Sequence, residues 1–301
     1  MVDPLHDVLT LLGTTSQVSA SMVAGGSWAL RFDAPDGIKF NAVRRGTCLL
    51  RLGGRPEPLP LAAGDCFLLT RPLPYLLLSD PAAVAVPARP IFEAATDGVA
   101  RTGVGDDFAA VGGAFHFGTR ARALLLDGLP PVIHVPAATA EATAIGWAIA
   151  QIDTELRHQR AGAALVAEHL AAMMLIQVIR HQLAHEPQLT SGWLAGLADP
   201  VVAAALREMH RQPARPWSVA ELARAASVSR STLAARFKEV VGSGPLEYLT
   251  HWRVELAVDR LRRGEETLAG IAHAVGYGSE SALSVAVKRV TGQSPRAHRR
   301  P

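Results

Sequence analysis

The chain has 301 residues, 49% hydrophobic, 19% charged and 5% aromatic, which suffices for two domains of ordinary size and excludes disorder throughout. The apolar stretch Ala171–Ile176 is bounded by Glu168, His169, Gln177 and Arg180 and falls short of the roughly 20 residues of a membrane span. Met1–Leu12 carries Asp3 and Asp7 in place of a basic leader, so no membrane partner, no secretory signal and a cytoplasmic location are expected. Charge is uneven: residues 213–301 hold 14 Lys/Arg against 8 Asp/Glu, and the rest of the chain 16 against 19. A basic module on a mildly acidic body attracts polyanions at long range, as nucleic-acid binding requires. Cys48 and Cys66 have no CxxC or histidine-containing spacing and read as reduced core residues.

Short apolar runs punctuated by turn residues predict strands at Trp28–Phe32, Phe40–Val43, Cys48–Leu52, Cys66–Leu69 and Tyr75–Leu78. The intervening turns are Ala34-Pro35-Asp36-Gly37, Gly53-Gly54-Arg55-Pro56, Ala63-Gly64-Asp65 and Arg71-Pro72-Leu73-Pro74, a spacing that suits a barrel or sandwich. Residues 82–110, rich in Ala, Pro and Gly, read as a loop, followed by a strand pair near Gly112–Phe117 and Pro131–Val135. After Pro136 the pattern turns helical over Ala140–Arg157 and Gly162–His185. In the second of these, Leu165, Leu170, Met173, Met174, Ile176, Ile179 and Leu183 form a stripe that either packs on its own domain or makes a dimer interface. Glu186–Gly192 reads as a connector, and a second helical block runs from Asp199 to the end.

That block contains an internal repeat. Ala220, Ala223 and Ala225 recur 49 residues later as Ala269, Ala272 and Ala274. Ser229, Ser231, Leu233, Lys238, Val240, Gly242 and Pro245 recur 50 residues later as Ser279, Ser281, Leu283, Lys288, Val290, Gly292 and Pro295. The one-residue slip falls at Ser227-Val228 against Gly276-Tyr277-Gly278, in a turn, where an insertion costs least. Each copy reads as helix-turn-helix. Helix Val219–Ala226 offers small Ala223 for a close crossing, and Ser229 caps Arg230–Val241, with Leu233 and Phe237 one turn apart on the buried side. Gly242 ends the helix and Pro245 opens the next. The outward face carries Arg230, Ser231, Thr232, Ala235, Arg236 and Glu239, basic and hydroxyl side chains that reach phosphates and base edges in a major groove. A connecting helix, Pro245–Arg263, would pack through Leu246, Leu249, Leu256 and Leu261 and carries Arg253 near its middle. If both recognition helices enter one face of the duplex, their spacing is one turn, about 34 Å.

These residues resemble the AraC/XylS family of bacterial transcription regulators over about Leu197–Arg300, including Ile271-Ala272, Val275-Gly276-Tyr277 and Lys288-Arg289-Val290-Thr291-Gly292-Gln293-Ser294-Pro295. Pro35-Asp36-Gly37, Pro60 with Gly64-Asp65, and Leu129-Pro130-Pro131-Val132-Ile133-His134-Val135 resemble the cupin-type sensor of one branch, and Gly192-Trp193-Leu194 with Leu197-Ala198-Asp199-Pro200 its junction. The resemblance implies an α+β multidomain chain: a cupin-like sensor barrel (residues 1–136), a helical linker or dimerisation region (137–196), and an all-α DNA-binding domain (197–301) with two helix-turn-helix units joined by a long helix. It implies a homodimer on double-stranded DNA that responds to a small-molecule effector and activates transcription, with RNA polymerase a candidate partner. The DNA-binding set is then Arg230, Ser231, Thr232, Arg236, Lys238, Arg253, Ser279, Glu280, Ser281, Lys288 and Arg289. Where the family commonly has an arginine two residues after the core leucine, this chain has Ala235 and Val285, and Val287 and Leu283 replace larger aromatics. A second unit with a smaller core and weaker or less sequence-specific contact follows.

Metal-dependent cupins cluster histidines with an acid. At the corresponding places this chain has Asn41 and Tyr75, and His116 and His134 stand alone, so neither metal, other cofactor nor catalytic residue is expected. Asn41, Tyr75 and His116 are instead candidate effector contacts in a barrel interior. Two other readings stay open: a cupin-type metalloenzyme with a helical appendage, and a helical protein-interaction adaptor that has lost DNA binding.

Overall fold

The computed structural model describes residues 3–12, 15–35, 37–53, 57–116, 128–158, 160–186 and 192–299. The chain divides into two compact units: Thr14–Leu189, and Met1–Gly13 together with Thr190–Pro301.

The first unit is built on two sheets. Strands β1 (Thr15–Gly25), β2 (Ala29–Phe32), β3 (Ile38–Arg45), β4 (Thr47–Leu52), β5 (Leu59–Ala62), β6 (Cys66–Leu69), β7 (Tyr75–Leu78), β8 (Ala85–Pro87), β9 (Val99–Gly103), β10 (Phe108–His116) and β11 (Val132–Val135) are interrupted by a short helix, Ala88–Glu93. They form a six-stranded sheet, β11-β6-β3-β10-β1-β9, and a five-stranded sheet, β5-β4-β7-β2-β8. Side chains alternate across a strand, so Val43, Phe67, Leu69, Phe108 and Ala110 of the first sheet meet Leu30, Cys48, Leu50, Tyr75 and Leu77 of the second in one buried core. The other face of the six-stranded sheet is buried as well, through Ile38, Phe40, Ala42, Leu68, Ile133 and Val135. Two helices, α3 (Ala140–His158) and α4 (Ala163–His185), pack against each other and on β6, β1 and β11. Cys66-Phe67-Leu68-Leu69 is buried without interruption because both its faces are covered.

Cys66–Leu69 and Tyr75–Leu78 lie where the sequence predicts them. The loop expected at 82–110 instead contains β8, the short helix (α2) and β9, with Phe92 of α2 packed edge-on against Phe32 at 5.8 Å. Their Ala, Pro and Gly content conceals them: β8 and β9 are parallel edge strands that need few apolar side chains. The two late strands are not partners, since β10 pairs with β3 and β1, and β11 with β6. Asp36, Gly54-Arg55-Pro56 and most of the expected connector, residues 187–191, lie outside the described residues. In α4 the buried side runs through Ala167, Ala171, Met174, Leu175, Val178 and Ile179, so Met174 and Ile179 of the expected stripe are buried while Leu165 is exposed. By length and composition α4 is long and apolar enough to cross a membrane. Part of its apolar surface packs on α3 and the sheet, and Leu165 and Val166 stay exposed.

The second unit is helical: α1 (Pro4–Leu12), α5 (Gly192–Ala198), α6 (Pro200–Arg211), α7 (Val219–Ala225), α8 (Arg230–Val241), α9 (Pro245–Arg263), α10 (Leu268–Ala274), α11 (Glu280–Thr291) and α12 (Pro295–His298). The bounds of α8 and α9 are those the caps and breakers predict. In α9, Leu249 and Leu261 are buried as expected and Leu256 packs on the core, whereas Leu246 is exposed; Tyr248, Trp252, Val254, Ala257 and Val258 complete the buried side. The second repeat closes over an aliphatic core in which Ile271, Val275, Leu283 and Val287 meet Val254, Val258 and Leu261.

Candidate nucleic-acid interface

Both copies of the repeat are stopped and started by the same chemistry. Ser229 Oγ accepts from Thr232 N at 3.1 Å and Ser279 Oγ from Ala282 N at 3.2 Å, satisfying orphan amides at the two recognition-helix N-termini. Gly242 (φ +88°) and Gly292 (φ +73°) end α8 and α11 in the left-handed region that a Cβ disfavours. Helix α7 adds a reciprocal cap, with Ser218 Oγ accepting from Glu221 N and Glu221 Oε2 accepting from Ser218 N. The backbone and hydroxyl of Ser218, then Arg215, pull the Glu221 carboxyl down to about 2.

The interhelix turns are equivalent in backbone but not in sequence. Ser227 adopts φ +56° where its counterpart Gly276 adopts φ +86°. A Cβ on Gly276 would stand 2.5 Å from Ala214 O and 2.7 Å from Ala214 Cα, so the second turn lies directly on the loop joining α6 to α7.

Most of the sequence-derived DNA-binding set is exposed: Arg230, Ser231, Thr232 and Lys238 on α8, and Ser279, Glu280, Ser281, Lys288 and Arg289 at or on α11. Two members are otherwise engaged. Arg236 donates to Asp199 Oδ2 at 2.7 Å and to Glu239 Oε2 at 3.0 Å, so its charge is largely matched within the protein. Arg253 donates to Pro213 O at 2.6 Å and Arg215 O at 2.7 Å and lies 5.9 Å from the Tyr277 ring. It clamps the α6–α7 loop onto α9 and the second turn, a task set by carbonyls far from it in sequence.

One network in this unit joins distant segments. The Tyr248 hydroxyl donates to His210 Nε2 at 2.8 Å, and His210 Nδ1 donates to Asp7 Oδ2 of α1 at 3.1 Å. Both bonds fit neutral imidazole. Burial lowers the His210 pKa from 6.5, against the opposing pull of Asp7 and Asp3. The folded state therefore binds this proton less readily than the unfolded chain, and the associated stability is present above pH 6.5 and is lost as pH falls below it. Denaturant titrations of this unit should give stability falling from neutral pH toward pH 5, and His210→Gln should flatten that dependence. An unchanged slope in the variant would remove His210 as its source.

In the two-sheet unit, Asn41 on β3 and Tyr75 on β7 meet in the interior from opposite sheets. Both are buried, and Asn41 Nδ2 and the Tyr75 hydroxyl make no hydrogen bond. Burial pushes the phenol pKa up, and the neighbouring Asn41 amide opposes part of that rise. Asn41 sits opposite Gly112, where a Cβ would be 2.2 Å from its Oδ1. Lys39, two residues earlier on the same face of β3, was not singled out by the sequence reading; burial lowers its pKa to about 8. The period-two alternation from Asn41 is the signal that places it there. His116 ends β10, and its side chain lies outside the described residues. Asn41 and Tyr75 supply an amide and a phenol, a donor set unsuited to a cupin metal, and no group of three His, Cys, Asp or Glu that could hold one occurs among the described residues.

A cavity of about 770 Å³ in the same unit is lined by Leu52, Leu59, Leu73, Val132, His134 and His181 among others. His134, read as a solitary structural residue, places Nε2 3.2 Å from Asp65 Oδ2. Asp65 itself accepts from Ala62 N and Ala137 N, tying the Ala63-Gly64-Asp65 turn to the start of the helical segment.

Comparison with known proteins agrees with both halves. Residues 3–184 match the family described as Cupin, and residues 222–301 match that described as Helix-turn-helix domain. The chain is similar to a protein of Streptomyces lividans named as an AraC-like transcription regulator, at 61% identity over 299 residues, covering 99% of this chain and 98% of that one. A protein of Streptomyces antibioticus bearing the same name is also 61% identical, with 99% of each chain covered. The HTH-type transcriptional regulator MtrA of Neisseria gonorrhoeae is 24% identical, over 99% of this chain and 98% of its own. The chain thus belongs to the AraC/XylS family of transcription regulators, with a cupin domain in its N-terminal half and a helix-turn-helix DNA-binding domain at its C-terminal end.

Proposed function

We propose that the protein binds specific sites on double-stranded DNA through α8 and α11 and regulates transcription from them without catalysis. The observation that carries this reading is the duplicated, identically capped helix pair whose recognition faces are exposed and basic. Ala235 and Val285 occupy equivalent positions on those faces, and Val285 is 65% exposed. Short apolar side chains there suit the C5-methyl group of thymine, so the missing arginines change the base preference without abolishing readout.

On this reading residues 14–136, with the helices packed on them, sense a small molecule, 137–196 also carry dimer contacts and 197–301 bind DNA in the cytoplasm, with RNA polymerase a downstream partner. Exposed Trp147 on α3 and Leu165 and Val166 on α4 support a homodimer, since apolar side chains left at a helix surface are suited to cover by a second copy. Nuclease footprinting of the purified full chain on the DNA upstream of its own coding sequence tests the proposal. Protection of two adjacent major-groove segments, about 10 base pairs apart, is the expected pattern. Uniform, sequence-independent protection would overturn it in favour of a non-specific or protein-interaction role.

A further inference from the structure

The cavity beside the sheets has a chemical character of its own. Leu52, Leu59, Leu73, Pro130, Pro131, Val132 and Pro136 give it an apolar wall, and His134, His181, His185 and Glu186 supply its ionisable groups. Leu59, Leu73 and Val132 pack on the inter-sheet core, so the cavity abuts the interior that holds Asn41 and Tyr75 without being lined by either. His181 is 6% exposed, and its Nδ1 is buried without a hydrogen-bond partner. The backbone carbonyl of His134 acts on the ring, and with Nδ1 unbonded this suits an N–H on the other nitrogen and a lone pair on Nδ1. His185 stacks on His181 with ring centroids 4.4 Å apart, and its Nδ1 donates to His181 O at 3.0 Å, which again leaves an accepting nitrogen.

The carboxylates around the site outnumber its cations. Glu141 and Glu186 act on His181 through space against the opposing influence of His185, Asp65 lies against His134, and no lysine or arginine is among the described lining residues. A carboxylate placed here would meet acceptors and negative charge, with no lysine or arginine among the described lining residues to offset its desolvation. A hydroxyl donor would complete the unpaired His181 nitrogen, and a flat ring would find apolar walls and a stacked imidazole pair.

We propose that this cavity binds a small aromatic molecule bearing a hydroxyl group, which donates its hydrogen bond to His181 Nδ1, and that organic acids of the same shape are rejected. This rests on the effector-responsive reading above and names the site and ligand class for it.

Calorimetric titration of the full chain at neutral pH with 2-naphthol and with its carboxylate analogue 2-naphthoate tests the proposal. Naphthol is expected to bind at least about tenfold more tightly than naphthoate, and His181→Phe to weaken naphthol by about tenfold or more. Leu59→Trp, which fills the cavity from the half-buried sheet side and leaves the histidines in place, should abolish naphthol binding whether or not the histidine variant folds. Naphthoate binding as well as naphthol, no naphthol binding up to its solubility, or full affinity in Leu59→Trp would each overturn the site. DNA binding measured on the same samples separates the two readings. Naphthol bound in this pattern with no change in operator affinity keeps the site and removes its effector role, whereas absent naphthol binding with operator binding intact removes the site alone.

Discussion

Gly276→Val is expected to destabilise the helical unit by about 3–5 kcal/mol and to abolish operator binding, because two costs fall on one residue. Its φ of +86° lies where a β-branched side chain is strained, and the new Cβ would stand 2.5 Å from Ala214 O and 2.9 Å from Ala214 C. Those are backbone atoms of a loop that Arg253 holds through two carbonyls, so they cannot rotate aside as a side chain would. The mirror experiment is Ser227→Gly in the first repeat. Ser227 already tolerates φ +56°, and relieving it should leave stability within about 1 kcal/mol of the wild type. Equilibrium denaturation of both variants checks the contrast. Equal, small effects would mean that the second turn yields without loss, and the rigid coupling of the two repeats would be wrong.

The second large effect concerns charge. Removing Arg230, Lys288 and Arg289 together, each to alanine, should lower operator affinity about 10- to 100-fold at moderate salt and reduce the slope of log K against log [salt] by about 2 to 3. Arg236→Ala should change that slope less than Arg230→Ala, since the Arg236 guanidinium is already held by Asp199 and Glu239. Arg253→Ala should lower stability with little change in slope, because its guanidinium answers Pro213 O and Arg215 O. Fluorescence anisotropy across a salt series reads all of these. A triple variant with an unaltered slope would mean that phosphates are met by some other surface.

What the sequence disclosed follows from how local the determining physics is. The bounds of α8 and the start of α9 depend on Ser229, Gly242 and Pro245, residues that act within a turn of themselves, and they are legible to the residue. Strands β6 and β7 were readable because apolar runs alternate with turns. By contrast, β8, β9 and α2 lie in a stretch whose composition suggests a loop, and they owe their form to strands distant in sequence. The roles of Arg236 and Arg253 depended on acceptors 37 and 40 residues away, which a list of basic side chains does not reveal. The same holds for the two-sheet unit: Asn41 and Tyr75 could be chosen as the residues that stand where metal-dependent cupins have ligands, but the histidines of α4 reach the cavity only through the packing of helix on sheet.

The pairing of α1 with α6 and α9 through Asp7, His210 and Tyr248 makes the two-sheet half an insertion within the DNA-binding half. The polypeptide enters and leaves the inserted half from the same partner, which gives two tethers in place of one. A fragment starting at residue 190 would lack buried Leu5 and Val8, bare an oily seat, and strip His210 of its carboxylate. Excised C-terminal pieces should therefore be stickier and less durable than the intact protein, and DNA affinities measured on them will describe a damaged reader.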